Sequence, residues 1–244
     1  MLDPATTLEI LRDGDIEIVG RIVSSSNNAM LATVTLACPE PESPLTLHAI
    51  YKPTLGERPL SDFPDGTLAR REVAAWHVSE AIGWGIVPPT VLRDGPFGEG
   101  MVQSFVEADP EVDVWAMVVE DDPRLRRMAV LDAVMNNTDR KGGHILPVDG
   151  ARRIHGVDHG VCFSSVPKLR TVLWGWRGEA FAADEIAGLE RIRAALEGDL
   201  ARTLRELLSR TEVRATTRRT DELIASGQFP FPSPTWPAVP WPPF

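Results

Sequence analysis

Between Ala133 and Phe163 the chain reads AVMNNTDRKGGHILPVDGARRIHGVDHGVCF, and the residues able to do chemistry crowd there. Asp139, the basic pair Arg140 and Lys141, and His144 precede one apolar segment; Asp158, His159 and Gly160 follow a second. Asp139 stands five positions before His144 and nineteen before Asp158. Carboxylates and imidazoles on turns can accept a proton or hold a divalent cation. One use of the set is zinc: His155, Asp158, His159 and Cys162, with His144 near in sequence, are ligand types zinc accepts, and a metal-dependent hydrolase would follow. Neighbouring residues on a strand point to opposite faces, so positions 158 and 159 cannot both join such a site from extended backbone.

The order of the acids suits phosphoryl transfer better. In protein kinases an acid that accepts the substrate proton precedes a metal-binding amide by five positions, and a second acid two residues before a glycine holds the other side of the metal. The stretch most resembles the phosphatidylinositol 3-/4-kinase-like group, which includes the bacterial HipA-type kinases. That group reads Asp-Arg-His-x-x-Asn in its catalytic loop and Asp-x-Gly in its metal loop; here the residues are Asp139-Arg140-Lys141-Gly142-Gly143-His144 and Asp158-His159-Gly160. Lys141 replaces the histidine and His144 the amide.

The resemblance implies an α+β, two-lobed protein-kinase-like fold, with a small antiparallel β lobe over residues 1–108 and a mainly helical lobe over 109–228. It implies ATP as cofactor with Mg2+, or Mn2+ because imidazole suits softer metals. Asp139 would orient or deprotonate the accepting hydroxyl, Arg140 or Lys141 would stabilise charge, and Asp158 and His144 would hold the metal. A regulator that binds nucleotide with little turnover, and nucleotidyl transfer, use the same residues.

The elements that must position these groups can be read from pattern. Residues 16–52 hold three β-branched runs, IEIVGRIV, AMLATVTL and LTLHAIYK, separated by SSSNN and by CPEPESP. Ser24, Ser25 and Ser26 in the first turn would close over phosphate oxygens, or be no more than a polar turn. Lys52 ends the third strand, where a kinase keeps its phosphate-binding lysine. Residues 68–82 lack proline and glycine and repeat apolar residues at three and four, which predicts a helix carrying Glu72 within reach of Lys52. A strand, an Asp94-Gly95 turn and a second strand follow, and the backbone of Ser104, Phe105 and Val106 would meet the adenine edge. Residues 107–110 cross between lobes. A helix from Asp121 stops at Asn136 and Asn137, a hairpin turns at Asp149-Gly150, and further helices begin near Asp184 and break at Gly198.

Residues 229–244, FPFPSPTWPAVPWPPF, are too rich in proline for helix or sheet and would dock on the parent domain or on a partner. The formal charge of -10 and pI near 5.0 exclude broad nucleic-acid binding and adsorption to anionic lipid. The acceptor is therefore expected to be a protein or small-molecule hydroxyl. Two cysteines far apart allow no disulfide framework, and no apolar run reaches about eighteen residues, so a soluble cytoplasmic protein is expected.

Overall fold

The computed structural model describes residues 2–22, 28–38 and 43–244. The turn containing Ser24, Ser25 and Ser26 lies outside the described residues, so the phosphate-closing role expected there has no structural counterpart to compare.

The first element is a helix the strand reading passes over, α1 (Pro4–Asp13). Asp3 caps it, its carboxylate accepting from Ala5 N at 3.0 Å and Thr6 N at 3.1 Å, and Pro4 occupies the first turn, where no N–H is needed. Five antiparallel strands follow: β1 (Asp15–Arg21), β2 (Met30–Leu36), β3 (Leu45–Pro53), β4 (Thr90–Gly95) and β5 (Gly98–Ser104), in the order β1-β2-β3-β5-β4.

Alternation along β3 divides the layers. Ala49 and Tyr51 face α1 and join a core with Ile10 and Leu11, while Ile50 and Lys52 face the opposite side. On that side lies α2 (Leu68–Ile82), whose Ala69 and Val73 pack on Met101, the cross-strand partner of Lys52.

The far side of α2, through Ala74, Ala75, Val78 and Ile82, enters the core of the helical half. That half contains α3 (Val114–Val119), α4 (Arg126–Met135), α5 (Ala183–Ala195), α6 (Asp199–Leu207) and α7 (Arg210–Ser226). Buried on both sides, α2 cannot rotate independently of either half. Arg71 fixes it further: only 1% exposed, it donates to Cys162 O at 2.8 Å and to Glu212 Oε1 on α7 at 2.6 Å. Glu57 caps the start of α2, accepting from Leu68 N at 3.0 Å and Ala69 N at 2.7 Å.

The hairpin β6 (Ile145–Val148) and β7 (Arg153–Gly156) pairs in register from Ile145↔Gly156 to Val148↔Arg153. Asp149 (φ 54) and Gly150 (φ 64) make its turn in the left-handed region that Asp and Gly tolerate best. Asp109 ties the crossing segment to this hairpin: its N–H donates to Pro147 O at 2.8 Å and its carboxylate accepts from Gly150 N at 2.9 Å. The helix expected to begin near Asp184 starts at Ala183, which puts Asp184 inside its first turn, and Glu185 supplies the cap contact, its carboxylate accepting from Ala182 N at 2.8 Å. Among the described residues no helix is long and apolar enough to cross a membrane.

Candidate active site

Lys52 reaches from β3 into the cleft between the sheet and the helical half. Its Nζ lies 2.7 Å from Glu72 Oε1 and 2.8 Å from Asp158 Oδ1. Burial alone would push the Lys52 pKa down, but the Asp158 and Glu72 charges outweigh it and hold the pKa above its usual value. Lys52 in turn holds the Asp158 carboxyl well below the usual carboxylate range, so the acid is ionised at neutral pH. The second oxygen of Glu72 accepts from His159 N at 2.7 Å, so one buried glutamate sets both the lysine and the loop carrying Asp158.

Asp158 has φ 61, a left-handed backbone. An L-residue is held there only when its surroundings dictate it, and such residues cluster at functional sites. The turn aims its carboxylate into the cleft, with 40% of the side chain exposed and the second oxygen 3.3 Å from His144 Nε2. Burial depresses the His144 pKa, against the pull of Asp158 and Asp139, so the ring is neutral at pH 7. Its Nδ1 is buried with no hydrogen-bond partner. The same ring therefore feels both acids.

Asp139 sits on the loop after α4. Asn136 ends that helix in the left-handed region (φ 52), and its amide ties the loop down by donating to Ser164 O at 2.9 Å and Val166 O at 2.8 Å. Asn137 Oδ1 accepts from Asp139 N at 3.0 Å. The Asp139 carboxylate stays 28% exposed, with Lys141 Nζ at 3.5 Å and Arg170 Nη2 at 3.4 Å.

Arg140 does not belong with the catalytic candidates. It is fully buried and forms a two-pronged pair with Asp132 on α4, at 2.9 Å for each contact. Its remaining nitrogen, Nη1, donates to His144 O at 3.2 Å and Val157 O at 3.0 Å, and Nη2, already on Asp132, lies 2.6 Å from His159 Nε2. It cannot reach a phosphate; it staples the loop of Asp139 to that of Asp158. His159, as the acceptor of this bond, stays neutral, burial and the Arg140 charge together driving its pKa down.

At the end of β5, Ser104 N donates to Pro89 O and Phe105 N to His48 O, each at 2.9 Å. Those two N–H groups complete the sheet, so of the backbone named for the adenine edge they are already engaged, and the Val106 N–H and the carbonyls carry that expectation. The zinc set does not assemble: His155 Nδ1 turns to Ile86 O at 3.3 Å, Cys162 is fully buried, and among the described residues no three His, Cys, Asp or Glu side chains converge on a metal position. Asp132, Asn137 and Arg170 had no signal of their own in the sequence, although the Asn-Asn pair closing a helix marks a loop held by side chains.

The comparisons agree with this architecture. The fold is that of a two-lobed kinase-like protein. It is shared with the Helicobacter pylori proinflammatory kinase CtkA (TM-score 0.53, 14% identity, 90% of this chain and 94% of that one) and with hydra Fam20 solved with sugar (TM-score 0.56, 13% identity, 91% and 87%). The chain belongs to the same family as Protein Rv2133c of Mycobacterium tuberculosis (strain ATCC 25618 / H37Rv), to which it is 40% identical over 271 aligned positions covering 96% of this chain and 94% of the relative. No protein-family profile matches.

Two outcomes follow. Arg140→Ala leaves the buried Asp132 carboxylate without its counter-charge, with only the Asn137 amide bonded to it, and should lower the unfolding free energy in urea by about 3–5 kcal/mol. A loss below about 1 kcal/mol, within the range of an exposed ion pair, would contradict the stapling role. His77, His144, His155 and His159 all have depressed pKa values, burial being the first cause in each. Below about pH 6.5 the unfolded chain then binds more protons than the folded one, so stability falls with pH. Urea unfolding from pH 7.5 to 5.5 should show that decline, whereas a flat or rising profile would contradict it.

Proposed function

We propose that the chain is an ATP-dependent phosphotransferase of the phosphatidylinositol 3-/4-kinase-like type, acting on a protein or small-molecule hydroxyl. The observation that carries this reading is the Lys52 ammonium held between Glu72 and Asp158, at 2.7 and 2.8 Å. A lysine fixed by a helix glutamate beside an ionised, cleft-facing aspartate is the equipment for gripping a nucleotide's phosphates and its metal ion.

The residues fit the cofactor. Asp158 offers a hard, ionised oxygen ligand, and His144, neutral and beside it, offers a ring nitrogen that favours Mn2+ over Mg2+. When bound, ATP supplies the transferable phosphoryl group and the divalent ion offsets its charge. Lys52 would hold the α- and β-phosphate oxygens, and Glu72 keeps the amine aimed. Leu31 and Ile50, opposite one another on β2 and β3 and on the same face as Lys52, offer an apolar roof for a base. Asp139 would orient the acceptor hydroxyl and take its proton. Lys141 and Arg170, flanking that carboxylate, would present positive charge where charge develops in the transition state. The formal charge of -10 supports an acceptor other than an anionic lipid surface.

A nucleotide-binding regulator with little turnover is the second reading. It is favoured by the engagement of both Asp158 oxygens, one by Lys52 and one by His144, in a loop where the related group carries an amide.

Substitution separates the two. Asp139→Ala should leave ATP–Mn2+ binding within about two-fold and reduce ADP formation by at least about a hundred-fold, the order expected for loss of a general base. Asp158→Ala should weaken binding as well. Unchanged turnover in Asp139→Ala would remove the phosphotransferase reading. His144→Asn restores an oxygen ligand and should raise turnover with Mg2+ relative to Mn2+; an unaltered metal ratio would take His144 out of the metal shell.

A further inference from the structure

Residues 236–244 lie against the loop that carries Asp139. Gly142 N donates to Pro243 O at 2.8 Å. The Phe244 ring packs directly on Gly142: a Cβ built there would stand 1.7 Å from Phe244 Cε1, so any side chain at 142 and the docked ring exclude each other. The same ring packs at a tilt against Trp115 at the start of α3, with centroids 4.6 Å apart. Six residues earlier, Ala238 O accepts from Thr171 N at 3.0 Å and from Trp174 Nε1 at 2.8 Å. Lys168 Nζ lies 4.9 Å from the centre of the Trp236 ring.

The segment so contacted is itself bonded to the Asp139 loop. Arg140 N donates to Arg170 O at 3.0 Å, and Val172 N donates to Arg140 O at 3.1 Å. Contacts therefore close a circuit from residues 140–142 through 170–174 to the tail and back. Asp139, with its partners Lys141 and Arg170, is carried on that circuit.

We propose that residues 236–244 are an integral part of the catalytic centre, with Pro243 and Phe244 acting as positioning residues for Asp139 and Lys141. Two successive glycines at 142 and 143 give the loop wide conformational freedom, whereas a general base must be held to within about 0.5 Å. The tail supplies that restraint through a carbonyl on the Gly142 amide and a ring over its Cα. The tail braces the loop without covering the acid, because Asp139 keeps 28% and Lys141 23% of its side chain exposed with the tail in place. What is positioned rests on the phosphotransferase reading; the contact itself does not.

The test is a double-mutant cycle between Gly142→Ala and Phe244→Ala on the full chain, read by ADP formation from ATP and Mn2+ and by amide exchange over residues 140–144. Each single variant should lose about ten-fold or more in kcat, with KM for ATP within about two-fold, since displacing a catalytic group by even 1 Å is costly while Lys52, Glu72 and Asp158 are untouched. The double variant should be no worse than Phe244→Ala alone, because the added methyl then meets no ring. Phe244→Tyr, which keeps the ring, should restore turnover. Unchanged kcat in Phe244→Ala, additive losses in the double variant, or turnover that rises when the ring is removed would each overturn the proposal, the last by showing a strap that blocks the acid. If the unaltered protein forms no ADP, the phosphotransferase reading fails, and exchange alone decides. Faster exchange at 140–144 in Phe244→Ala then supports the brace, and unchanged exchange rejects it.

Discussion

A single ammonium group joins three parts of the chain that lie far apart in sequence. Lys52 comes from the sheet, Glu72 from the helix packed on that sheet, and Asp158 from a loop beyond the hairpin of the helical half. Desolvating an amine and two carboxylates costs several kcal/mol per ion, and mutual attraction offsets that only when geometry and further hydrogen bonds are good. The further bond is present, from His159 N to the second Glu72 oxygen. Such an arrangement is a weak device for stability and a good one for orientation. It leaves Asp158 ionised and open to the cleft, in a left-handed backbone that little else would maintain.

Two buried arginines hold the framework around it. Arg71 connects α2 to α7 and to Cys162 O, so the helix bearing Glu72 cannot swing away without breaking a nearly dry ion pair. Arg140 connects α4, the Asp139 loop and the Asp158 loop through Asp132 and two carbonyls. Guanidinium suits both positions because its planar fork satisfies several acceptors at once without losing its charge. The acids of the cleft are thus set by cations that never reach it.

Where local chemistry decides the structure, the sequence was legible. The absence of proline and glycine from 68 to 82 marks α2 to its boundaries, and Asp149-Gly150 marks the β6–β7 turn. The β-branched run LTLHAIYK placed Lys52 at the end of β3, from where it meets Glu72. Non-local constraints were not legible. Arg140 looks catalytic beside Asp139, yet its partner Asp132 lies within a helix, eight positions back, at no periodic spacing. Ser104 and Phe105 have no side-chain signature for a bond from their N–H groups, and the sheet takes both. The helix α1 announces itself only by Asp3-Pro4 ahead of Ile10 and Leu11, a cap too short to stand out in an acidic terminus.

The account depends on Lys52 being a nucleotide ligand and not merely a structural charge. Thermal-shift titration of the protein and of its Lys52→Met variant with ATP and Mn2+ measures this directly, because a ligand that binds the folded state raises its apparent stability. The unaltered protein should show a saturable rise in Tm, and Lys52→Met should show it only at much higher ATP concentration, if at all. Equal shifts in the two proteins, or none in the unaltered one, would contradict the account.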